Sequence, residues 1–593
     1  MAVFAPKNLL RQPNFAALVA LVWLLVALAL MLQHWAATAE TLLDTDDAMR
    51  LTELHRWLGN GFFSGWFDLS EPRLQPPVGY ESHWSRLIDV GLAGMLAAFG
   101  FFVDPELAER LMRAWWPLLW LLPTIAAMIS IAWRIAGREA ATVALLFALI
   151  GVPAYQQFMP GRVDHHNVQI ALTMVVVACV VWSDRKPWAA TLAGVLSGVA
   201  LAIGLESTPY LIVGGAAMAL RYVIAHHAGQ TLRTYGLWLA LTTAAMFFVS
   251  VAPDHWSRFY CDAIATNNIA AAVCGGLVLA AAGHFDHGHW ITRLLAVASA
   301  AAFAGAVLFL LDPRCVRGPF ATVDPAIWPI WHDQVREMQP LFRLFTVNPL
   351  TASAIAAFPA AAILAALALG FDHDMRRNFG FLVGVAVFLM AAATTIAAIR
   401  GYSYAMWLGM PIVAALALRV FALLRLKNFV ARLIAGVMLT PMVLSSGAIT
   451  IASAAGLGDT DGFAQPERQH CRRTASYMPL KRLQPGLVVT DISYGPYLLA
   501  LTSHSVMAAP YHRLSSGITT SHKALASPPE QAREVLKSIK ATYVMLCGPR
   551  PPDGLPEPAR TASLWGRLQA GAPPPWLEPV PGMGPFAVYR VRP

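Results

Sequence analysis

The chain has 593 residues, of which 57% are hydrophobic and only 13% are charged. Together with a mean hydropathy of +0.53, this composition excludes an ordinary soluble domain and indicates a polytopic membrane protein. The net charge of +9 would suit nucleic-acid binding, but the Lys and Arg residues are scattered through short loops between apolar runs, where membrane topology explains them. We therefore exclude nucleic acid as a partner and expect membrane lipids.

Apolar runs long enough to cross hydrocarbon, about 20 residues each, recur from Phe15 to Ser453. The first run exceeds the apolar core of a signal peptide, about 7–15 residues, so we interpret it as a retained span. The pattern predicts thirteen transmembrane helices, at residues 15–37, 112–133, 140–158, 168–183, 189–204, 208–225, 234–252, 262–282, 291–311, 349–370, 378–398, 404–424 and 430–453.

Loops rich in Arg and Lys indicate which face of the membrane each loop occupies, because basic loops stay in the cytoplasm. All basic loops fall on that side only if residues 87–103 do not span the bilayer, so we interpret this segment as interfacial or re-entrant. An odd number of spans then exports the C-terminal region. We expect a transmembrane domain at 1–453, with outer loops at 38–111, 159–167 and 312–348, and an exported domain at 454–593.

Short apolar runs bounded by turn residues predict four strands in the exported domain. These runs are GLVVT (486–490), HSVMAA (504–509), TYVML (542–546) and FAVYRV (586–591). Residues 527–530, Ser-Pro-Pro-Glu, form a capping-box pattern that predicts a helix over 530–541. Strands that alternate with helix predict a small α/β domain with a largely parallel sheet.

Four of the six cysteines, Cys261, Cys315, Cys471 and Cys547, fall in segments predicted to be exported, where disulfides are permitted. Four cysteines allow three connectivities. We favour the pair Cys471 and Cys547, because both residues lie in one domain.

The first polar cluster is LLDTDDAMR, residues 42–50, just outside the first predicted span. Its carboxylates Asp44, Asp46 and Asp47 repel one another unless a cation or Arg50 neutralises them, so the spacing indicates a cation site. The alternative is that Asp44 caps the helix that follows, whose first turn favours acidic residues.

The second polar cluster is PGRVDHHNVQI, residues 160–170, in the outer loop before the fourth predicted span. Asp164 and His166 are two residues apart, a spacing that lets both side chains of a turn converge on one ion. The alternative is that Asp164 and Asn167 cap the span while His165 and His166 lie among lipid headgroups.

The third polar cluster is IWHDQVREMQP, in the long outer loop 312–348. A loop of that length is typical of a functional or a disordered segment, and the aromatic residues around the cluster favour order. Glu337 is its candidate site residue. The alternative is that Glu337 pairs with Arg336 or Arg343.

Single polar residues at other outer positions add weaker signals. They are Glu206 in GLESTPY, Arg400 in IRGYSY, and His512 and Arg513 in the exported domain. An arginine at the outer end of a helix can bind a phosphate with two hydrogen bonds, although an arginine that merely extends to the interface is commoner.

In their order along the chain and in the membrane face predicted for them, these clusters resemble those of the catalytic subunit of oligosaccharyltransferase and its single-chain bacterial and archaeal relatives, within the glycosyltransferase C fold. LLDTDDAMR is similar to the family's first outer-loop motif, PGRVDHHN to its second acidic motif, and QVREMQP to its Val-x-Glu-x-Gln-Pro pattern. Thirteen spans and a soluble α/β domain are also typical of the family. The resemblance covers nearly the whole chain.

The resemblance implies a glycosyltransferase that uses a polyprenyl phosphate or diphosphate sugar at the periplasmic face of a bacterial inner membrane. It implies Asp44, Asp46 and Glu337 as catalytic residues. The candidate ligands of a divalent ion are Asp44, Asp47, Asp164, His166 and Glu337. A histidine among oxygen ligands makes Mn²⁺ at least as suitable as Mg²⁺, and a metal-free form stays open. The candidates for binding the donor phosphate are Arg50, Arg400 and Tyr404.

The chain departs from the family at the Trp-Trp-Asp element that holds the Ser or Thr of an acceptor sequon, because residues 491–493 read Asp-Ile-Ser. We therefore do not expect an Asn-x-Ser/Thr acceptor, and the acceptor stays open among lipid, glycan and protein. One alternative is transfer of a single sugar from a polyprenyl monophosphate to lipid A or an envelope polysaccharide. Another is a transporter or flippase of lipid-linked glycans, but the nearly charge-free spans favour a surface enzyme.

Overall fold

The computed structural model describes residues 14–285, 288–459, 470–549, 551–552 and 555–592. Within these ranges, helices dominate the chain before residue 470. The helices are α1 Phe15–Glu40, α2 Thr45–Asn60, α3 Arg86–Gly100, α4 Pro105–Leu149, α5 His166–Trp182, α6 Pro187–Ile203, α7 Thr208–Ile224, α8 Gly229–Ser250, α9 Thr266–His284, α10 Trp290–Leu311, α11 Leu341–Val347, α12 Pro349–Gly370, α13 His373–Arg377, α14 Phe379–Ala397, α15 Tyr402–Leu423, α16 Phe429–Met438 and α17 Pro441–Ala454. A two-stranded antiparallel ribbon, β1 Ser70–Glu71 and β2 Tyr80–Glu81, lies in the first outer loop.

The chain is a polytopic helical membrane protein. Among the described residues, eight helices are long and apolar enough to cross a membrane, or nine if α16 and α17, which meet at an angle of 56°, form one span. The predicted number of thirteen spans is therefore not confirmed.

Helix length and helix merging explain the difference in number. The predicted spans 112–133 and 140–158 share α4, whose 45 residues are interrupted by non-helical backbone angles at Ala136 and Gly137. Three further predicted spans match α5, α6 and α7, which have 17 residues each, at the lower limit of about 17–25 residues for crossing hydrocarbon. With 15 residues, α3 is too short to span, which agrees with the interpretation of 87–103.

Two central helices position the site. α4 packs against α1, α3, α5 and α15, and the first half of α15 is buried on all sides, as expected for an apolar helix inside a bundle. Around them, α2, α5, α7 and α15 all begin close to the polar clusters singled out in the sequence.

The C-terminal domain contains a five-stranded sheet and short helices. The elements are β3 Leu487–Val489, α18 Gly495–Leu501, β4 Ser505–Val506, α19 Ser515–Ala526, α20 Pro529–Ser538, β5 Tyr543–Cys547, α21 Glu557–Ala562, α22 Leu564–Gln569, β6 Leu577–Val580 and β7 Phe586–Val591. The strand order is β4-β3-β5-β7-β6. All four predicted strands are present, and β6 was not predicted, since its sequence LEPV contains a proline that argues against a strand.

Two details of the domain differ from the prediction. The sheet is parallel only across β4, β3 and β5, while β7 and β6 run antiparallel to their neighbours, so it is mixed. α20 begins at Pro529 after Pro528, with no side-chain cap. The predicted capping box is therefore wrong, because Ser527 instead ends α19.

The first outer loop extends the edge of this sheet. Val506 of β4 donates its N–H to the carbonyl of Arg73 and accepts a bond from the N–H of Gln75, both at 2.8 Å. The Tyr511 hydroxyl donates to the carbonyl of Thr45 at 3.0 Å. These bonds hold the C-terminal domain over the start of α2.

Two disulfides link segments that are distant in the chain. Cys471 pairs with Cys547, as predicted, and anchors the segment before β3 to the end of β5. Cys261 pairs with Cys315 and links the loop before α9 to the loop after α10.

Candidate active site

A cavity of about 2250 Å³ opens where these elements meet. One end is polar and is formed by the outer-loop clusters and the C-terminal domain. The rest is apolar and runs between transmembrane helices. The apolar wall includes Leu211, Ile212, Ala216 and Ala219 of α7, Gly275, Gly276 and Leu279 of α9, and Val297, Ala300, Ala304 and Leu308 of α10. The polar end of the cavity therefore continues into an apolar groove.

Three carboxylates converge at the polar end and are called here the carboxylate cluster: Asp44, Asp47 and Asp164. One oxygen of each lies within 4.8 Å of the others. The Asp44 side chain is 36% exposed and lines the cavity, whereas the Asp47 and Asp164 side chains are each 1% exposed. Asp44 is therefore the member that a ligand can reach.

Backbone hydrogen bonds fix the carboxylate cluster. Asp44 caps α2, because its Oδ1 accepts the N–H groups of Asp46 at 3.0 Å and Asp47 at 3.1 Å. Asp47 Oδ1 accepts the N–H groups of Val163 at 2.7 Å and Asp164 at 3.2 Å. Asp44 therefore caps α2, as the alternative interpretation expected, and also lines the cavity.

Arg162, a residue that the sequence reasoning missed, neutralises this cluster. Its guanidinium donates hydrogen bonds to Asp44 and to Asp164, the latter at 2.5 Å, and lies 3.4 Å from Asp47 Oδ2. The signal was available, because Arg162 stands inside the PGRVDHHN motif.

Arg50 lies elsewhere. It is fully buried, bonds Asp89 at 3.0 Å and Glu53 at 3.3 Å, and stacks over the Trp84 ring at 4.7 Å. It does not line the cavity, so the predicted neutralisation of the aspartates by Arg50 is corrected to Arg162. The predicted contact of Arg50 with a phosphate stays a prediction that this position does not favour.

The histidine cluster comprises His165, His166 and Glu206, and it lies directly beside the first group. Glu206 is 3.5 Å from His165 Nε2 and 3.1 Å from His166 Nδ1. The structure therefore places Asp164 and His166 in two separate groups, rather than on one ion. Asn167 is buried and donates to the Arg162 carbonyl at 3.2 Å.

Arg400 connects the histidine cluster with the third predicted motif. Its guanidinium bonds Glu206 and lies 3.1 Å from Glu337. Glu337 is also 4.0 Å from His166 Nε2. Arg400 Nε is buried and has no hydrogen-bond partner among the described residues, while the side chain as a whole is 27% exposed and lines the cavity. Tyr404 lines the cavity one turn further along and donates to Gln169 at 3.4 Å.

His512 and Arg513 both bind Asp262, a residue that the sequence did not indicate. Asp262 accepts hydrogen bonds from His512 at 2.6 Å and from Arg513 at 2.8 Å on each oxygen. Arg513 holds the pKa of the Asp262 carboxyl far below its usual range, together with His512 and against the opposing effect of burial. This contact fastens the C-terminal domain to the loop before α9.

The two half-buried aspartates that line the cavity, Asp44 and Asp46, differ in the direction of their pKa shifts. Burial opposes ionisation of Asp44, but the neighbouring Arg162 and the Asp47 N–H lower its pKa. Burial, together with the charges of Asp44 and Glu337, raises the pKa of Asp46 well above its usual value. Neighbouring carboxyls with separated pKa values are typical of acid–base sites.

Of the three groups among the described residues that could hold a metal ion, one contains the disulfide-bonded Cys261 and Cys315 with Asp312, and the other two are the carboxylate cluster and the histidine cluster. In the carboxylate cluster, Asp47 Oδ2 is buried without a hydrogen-bond partner, which suits a cation. The guanidinium of Arg162, however, already contacts all three carboxylates. The residues present therefore do not fit a divalent ion at this position together with Arg162.

No protein-family model matches the sequence, and no curated protein matches it. Solved structures of the oligosaccharyltransferase from Archaeoglobus fulgidus do match in fold. Its apo form aligns with a TM-score of 0.66 at 15% identity, over 90% of this chain and 70% of that chain. The chain has the oligosaccharyltransferase fold. The complex of that enzyme with an inhibitory peptide and dolichol-phosphate gives 0.65 at 14% identity, over 90% and 69%.

A third structure with this fold, the Archaeoglobus fulgidus enzyme with Zn and sulfate, aligns with a TM-score of 0.60 at 14% identity, over 89% of this chain and 68% of that chain. The identities are low, so the likeness concerns the fold alone. Within this fold, Asp491, Ile492 and Ser493 line the cavity, at the place where the resemblance puts Trp-Trp-Asp.

Proposed function

We propose that the protein is a membrane glycosyltransferase that moves a sugar or oligosaccharide from a polyprenyl phosphate or diphosphate donor to an acceptor at the periplasmic face of a bacterial inner membrane. The observation that carries the proposal is the continuous cavity, whose apolar groove between α7, α9 and α10 suits a polyprenyl chain and whose charged end suits the phosphate and sugar. The fold that the chain shares with an oligosaccharyltransferase supports the same reaction class.

Helix ends favour an anion at the charged end. α7 and α15 begin there without a side-chain cap, and the N-terminus of a helix carries partial positive charge and free N–H groups. Arg400 adds a full charge and an unpaired Nε donor. In our proposal, Arg400 and these N-termini stabilise the charge that develops on the leaving phosphate.

Asp44 supplies the group that faces the acceptor. In transfer, the bond from the anomeric carbon to the phosphate oxygen breaks, the acceptor oxygen bonds to that carbon, and the acceptor proton must leave. Asp44 is held by Arg162 and by its own cap bonds, so it presents a fixed, ionised carboxylate to orient and deprotonate the acceptor. Asp46 and Glu337 flank it on the cavity wall.

No step in this proposal passes through a metal ion. The resemblance implies Mn²⁺ or Mg²⁺, but Arg162 already supplies positive charge to the carboxylate cluster. We therefore propose the metal-free form of the mechanism. The predicted metal ligands Asp47 and Asp164 then act by holding Arg162 and the loop that carries it.

Positions 491–493 carry neither of the two tryptophans of the family's sequon-holding element. Asp491, Ile492 and Ser493 face the cavity instead, and Asp491 Oδ1 accepts the N–H of Ser493 at 2.8 Å, closing a tight turn. We propose that the acceptor is not an Asn-x-Ser/Thr peptide. Its identity among lipid, glycan and protein is the aim of the first experiment.

The experiment compares purified full-length protein in lipid nanodiscs with its Asp44→Asn variant. Each is supplied with radiolabelled polyprenyl phosphate and diphosphate sugars and a membrane extract that contains candidate acceptors. We expect release of the polyprenyl phosphate and labelled product only with the unmodified protein. Mass spectrometry of envelope glycolipids and glycoproteins, with and without the gene, then identifies the product.

A matched control separates catalysis from general damage. Asp374→Asn changes an aspartate whose side chain is 98% exposed and which does not line the cavity, and it should retain full turnover. Movement of donor across the bilayer without cleavage, equal in the unmodified protein and Asp44→Asn, would indicate a flippase and contradict the proposal.

A further inference from the structure

Arg162 is the most heavily bonded cation among the described residues at the polar end of the cavity. Besides Asp44 and Asp164, its guanidinium donates to Gln157 Oε1 at 2.7 Å and lies 3.4 Å from Asp47 Oδ2. Its side chain is 11% exposed. One residue therefore bridges every member of the carboxylate cluster.

The backbone around Arg162 holds it in this position. Gly161 adopts a positive φ of 108°, its N–H bonds the Arg113 carbonyl at 2.9 Å, and an added Cβ would meet Leu43 at 3.2 Å. The Arg162 carbonyl accepts a bond from Asn167. A glycine is required here because side chains rarely adopt that φ, so the loop aims Arg162 at the cluster.

The chemistry of the cluster allows one resident cation. A guanidinium presents a flat fork of N–H donors that matches carboxylates, whereas Mg²⁺ or Mn²⁺ requires about six oxygen ligands in a closed shell. Five of the six carboxylate oxygens of the cluster are bonded to Arg162 or to backbone N–H groups, and the sixth, Asp47 Oδ2, lies 3.4 Å from the Arg162 guanidinium. A divalent ion would also repel the guanidinium at close range, an effect that burial strengthens.

We infer that Arg162 is a built-in cation that takes the position of a divalent metal ion in the carboxylate cluster, so that this cluster works without one. Arg162 is a positioning residue: it acts through Asp44, whose carboxylate it holds in place by a direct ion pair. The inference deepens the proposed function, but its first test does not depend on glycosyl transfer.

The first test measures metal binding by full-length protein in nanodiscs after EDTA treatment, with Mn²⁺ alone as probe and electron paramagnetic resonance as readout. We expect Asp164→Asn to bind the same amount of Mn²⁺ as the unmodified protein, because the cluster holds none. Arg162→Met should bind additional Mn²⁺, which the double variant Arg162→Met/Asp164→Asn should lose. Arg162→Lys, which keeps the charge, should gain no Mn²⁺.

Two results would overturn the inference. One is Mn²⁺ bound by the unmodified protein and lost in Asp164→Asn, a comparison that does not require the Arg162 variants to fold. The other is an Arg162→Met variant that stays folded, as size-exclusion chromatography shows, and binds no more Mn²⁺ than the unmodified protein.

The second test follows turnover of the lipid-linked donor. The unmodified protein should keep its rate in EDTA, and Arg162→Met should lose about 10- to 100-fold, as is typical when the group supporting a reactive ligand is removed, with partial rescue by added Mn²⁺. A merely structural role would give no metal rescue. If the unmodified protein cleaves no donor, the proposed function fails while the binding test still decides the inference; a rate abolished by EDTA and restored by Mn²⁺ overturns the inference alone.

Discussion

The carboxylate cluster and the histidine cluster meet at three consecutive residues, Asp164, His165 and His166, yet the two clusters differ in exposure. The Asp47 and Asp164 side chains are each 1% exposed, and backbone N–H groups and Arg162 bond every oxygen of the two except Asp47 Oδ2. In the second group, Glu206 and its partners Glu337 and Arg400 are 22%, 40% and 27% exposed. The comparison indicates that one cluster is a fixed support for Asp44, while the other is the part that a charged ligand can rearrange.

The largest expected effect on donor turnover comes from changing Asp44, the member of the carboxylate cluster that lines the cavity. Asp44→Asn keeps the helix cap, because Asn caps about as well as Asp, but removes the charge that faces the acceptor. We expect donor turnover to fall by about 10²- to 10⁴-fold, the usual contribution of a general base, with little change in thermal midpoint. Turnover within a factor of about three of the unmodified protein, judged against that typical contribution, would contradict the role of Asp44.

The second largest effect is expected from changing Arg400, which bonds Glu206 of the histidine cluster. Arg400→Lys keeps one charge but cannot bridge Glu206 and Glu337 or offer the free Nε. We expect kcat/KM for the donor to fall by about 10²-fold, as when one transition-state donor is removed. Arg419→Lys is the matched control, because Arg419 lies on α15, the helix that begins two residues after Arg400, pairs with Asp372 and does not line the cavity. Equal kinetics in both variants would show that Arg400 does not contact the donor.

The third prediction concerns Asp262 and its partners, a charged group that we expect to matter for stability more than for turnover. Asp262 binds His512 and Arg513 at the domain contact, so Asp262→Asn should lower stability by about 3 kcal/mol, the size expected when a buried ion pair loses one partner. Turnover should fall by less than about 10-fold, well below the effect of losing a general base. Thermal unfolding in nanodiscs measures the loss.

The control for that prediction lies in the same loop. Asp254→Asn changes an aspartate whose side chain is 72% exposed, and it should leave the thermal midpoint unchanged, since surface ion pairs contribute little. An equal shift in both variants would mean that the Asp262 contact does not hold the domain.

Much of the site was predictable from sequence because the relevant residues occur in local motifs. Asp44, Glu206, Glu337 and Arg400 were all singled out from their position beside apolar runs, and the structure brings them to one cavity. The strands of the C-terminal domain and the pair Cys471–Cys547 were also predicted. Local pattern therefore sufficed where one segment alone defined the feature.

The failures concern choices among partners that are distant in the chain. Arg50 and Arg162 were both near an acidic motif, and sequence spacing favoured Arg50; in the helix, Arg50 turns toward Asp89, 39 residues away, instead of Asp44. Asp262 carries no local signal, because its partners lie about 250 positions later in the chain.

The smallest expected effect on turnover concerns the buried group behind the carboxylate cluster. Glu53 contacts Arg50 at 3.3 Å and does not line the cavity, and burial raises its pKa to about 7, against the opposing charge of Arg50. The folded protein therefore keeps a proton that the unfolded chain releases above its ordinary value of 4.5. This contribution to stability is complete below that value and is lost as the pH rises toward 7.

Thermal midpoints of the unmodified protein and of Glu53→Gln, measured near pH 5 and near pH 8, test this sign. The unmodified protein should lose up to about 3 kcal/mol more than Glu53→Gln between the two conditions, from the size of the pKa shift. Donor turnover should be equal in the two proteins, because Glu53 lies outside the cavity. A parallel pH dependence of stability in both proteins would show that Glu53 is ionised in the folded state. Arg50 and its carboxylate partners would then all be charged, like Arg162 and the carboxylate cluster.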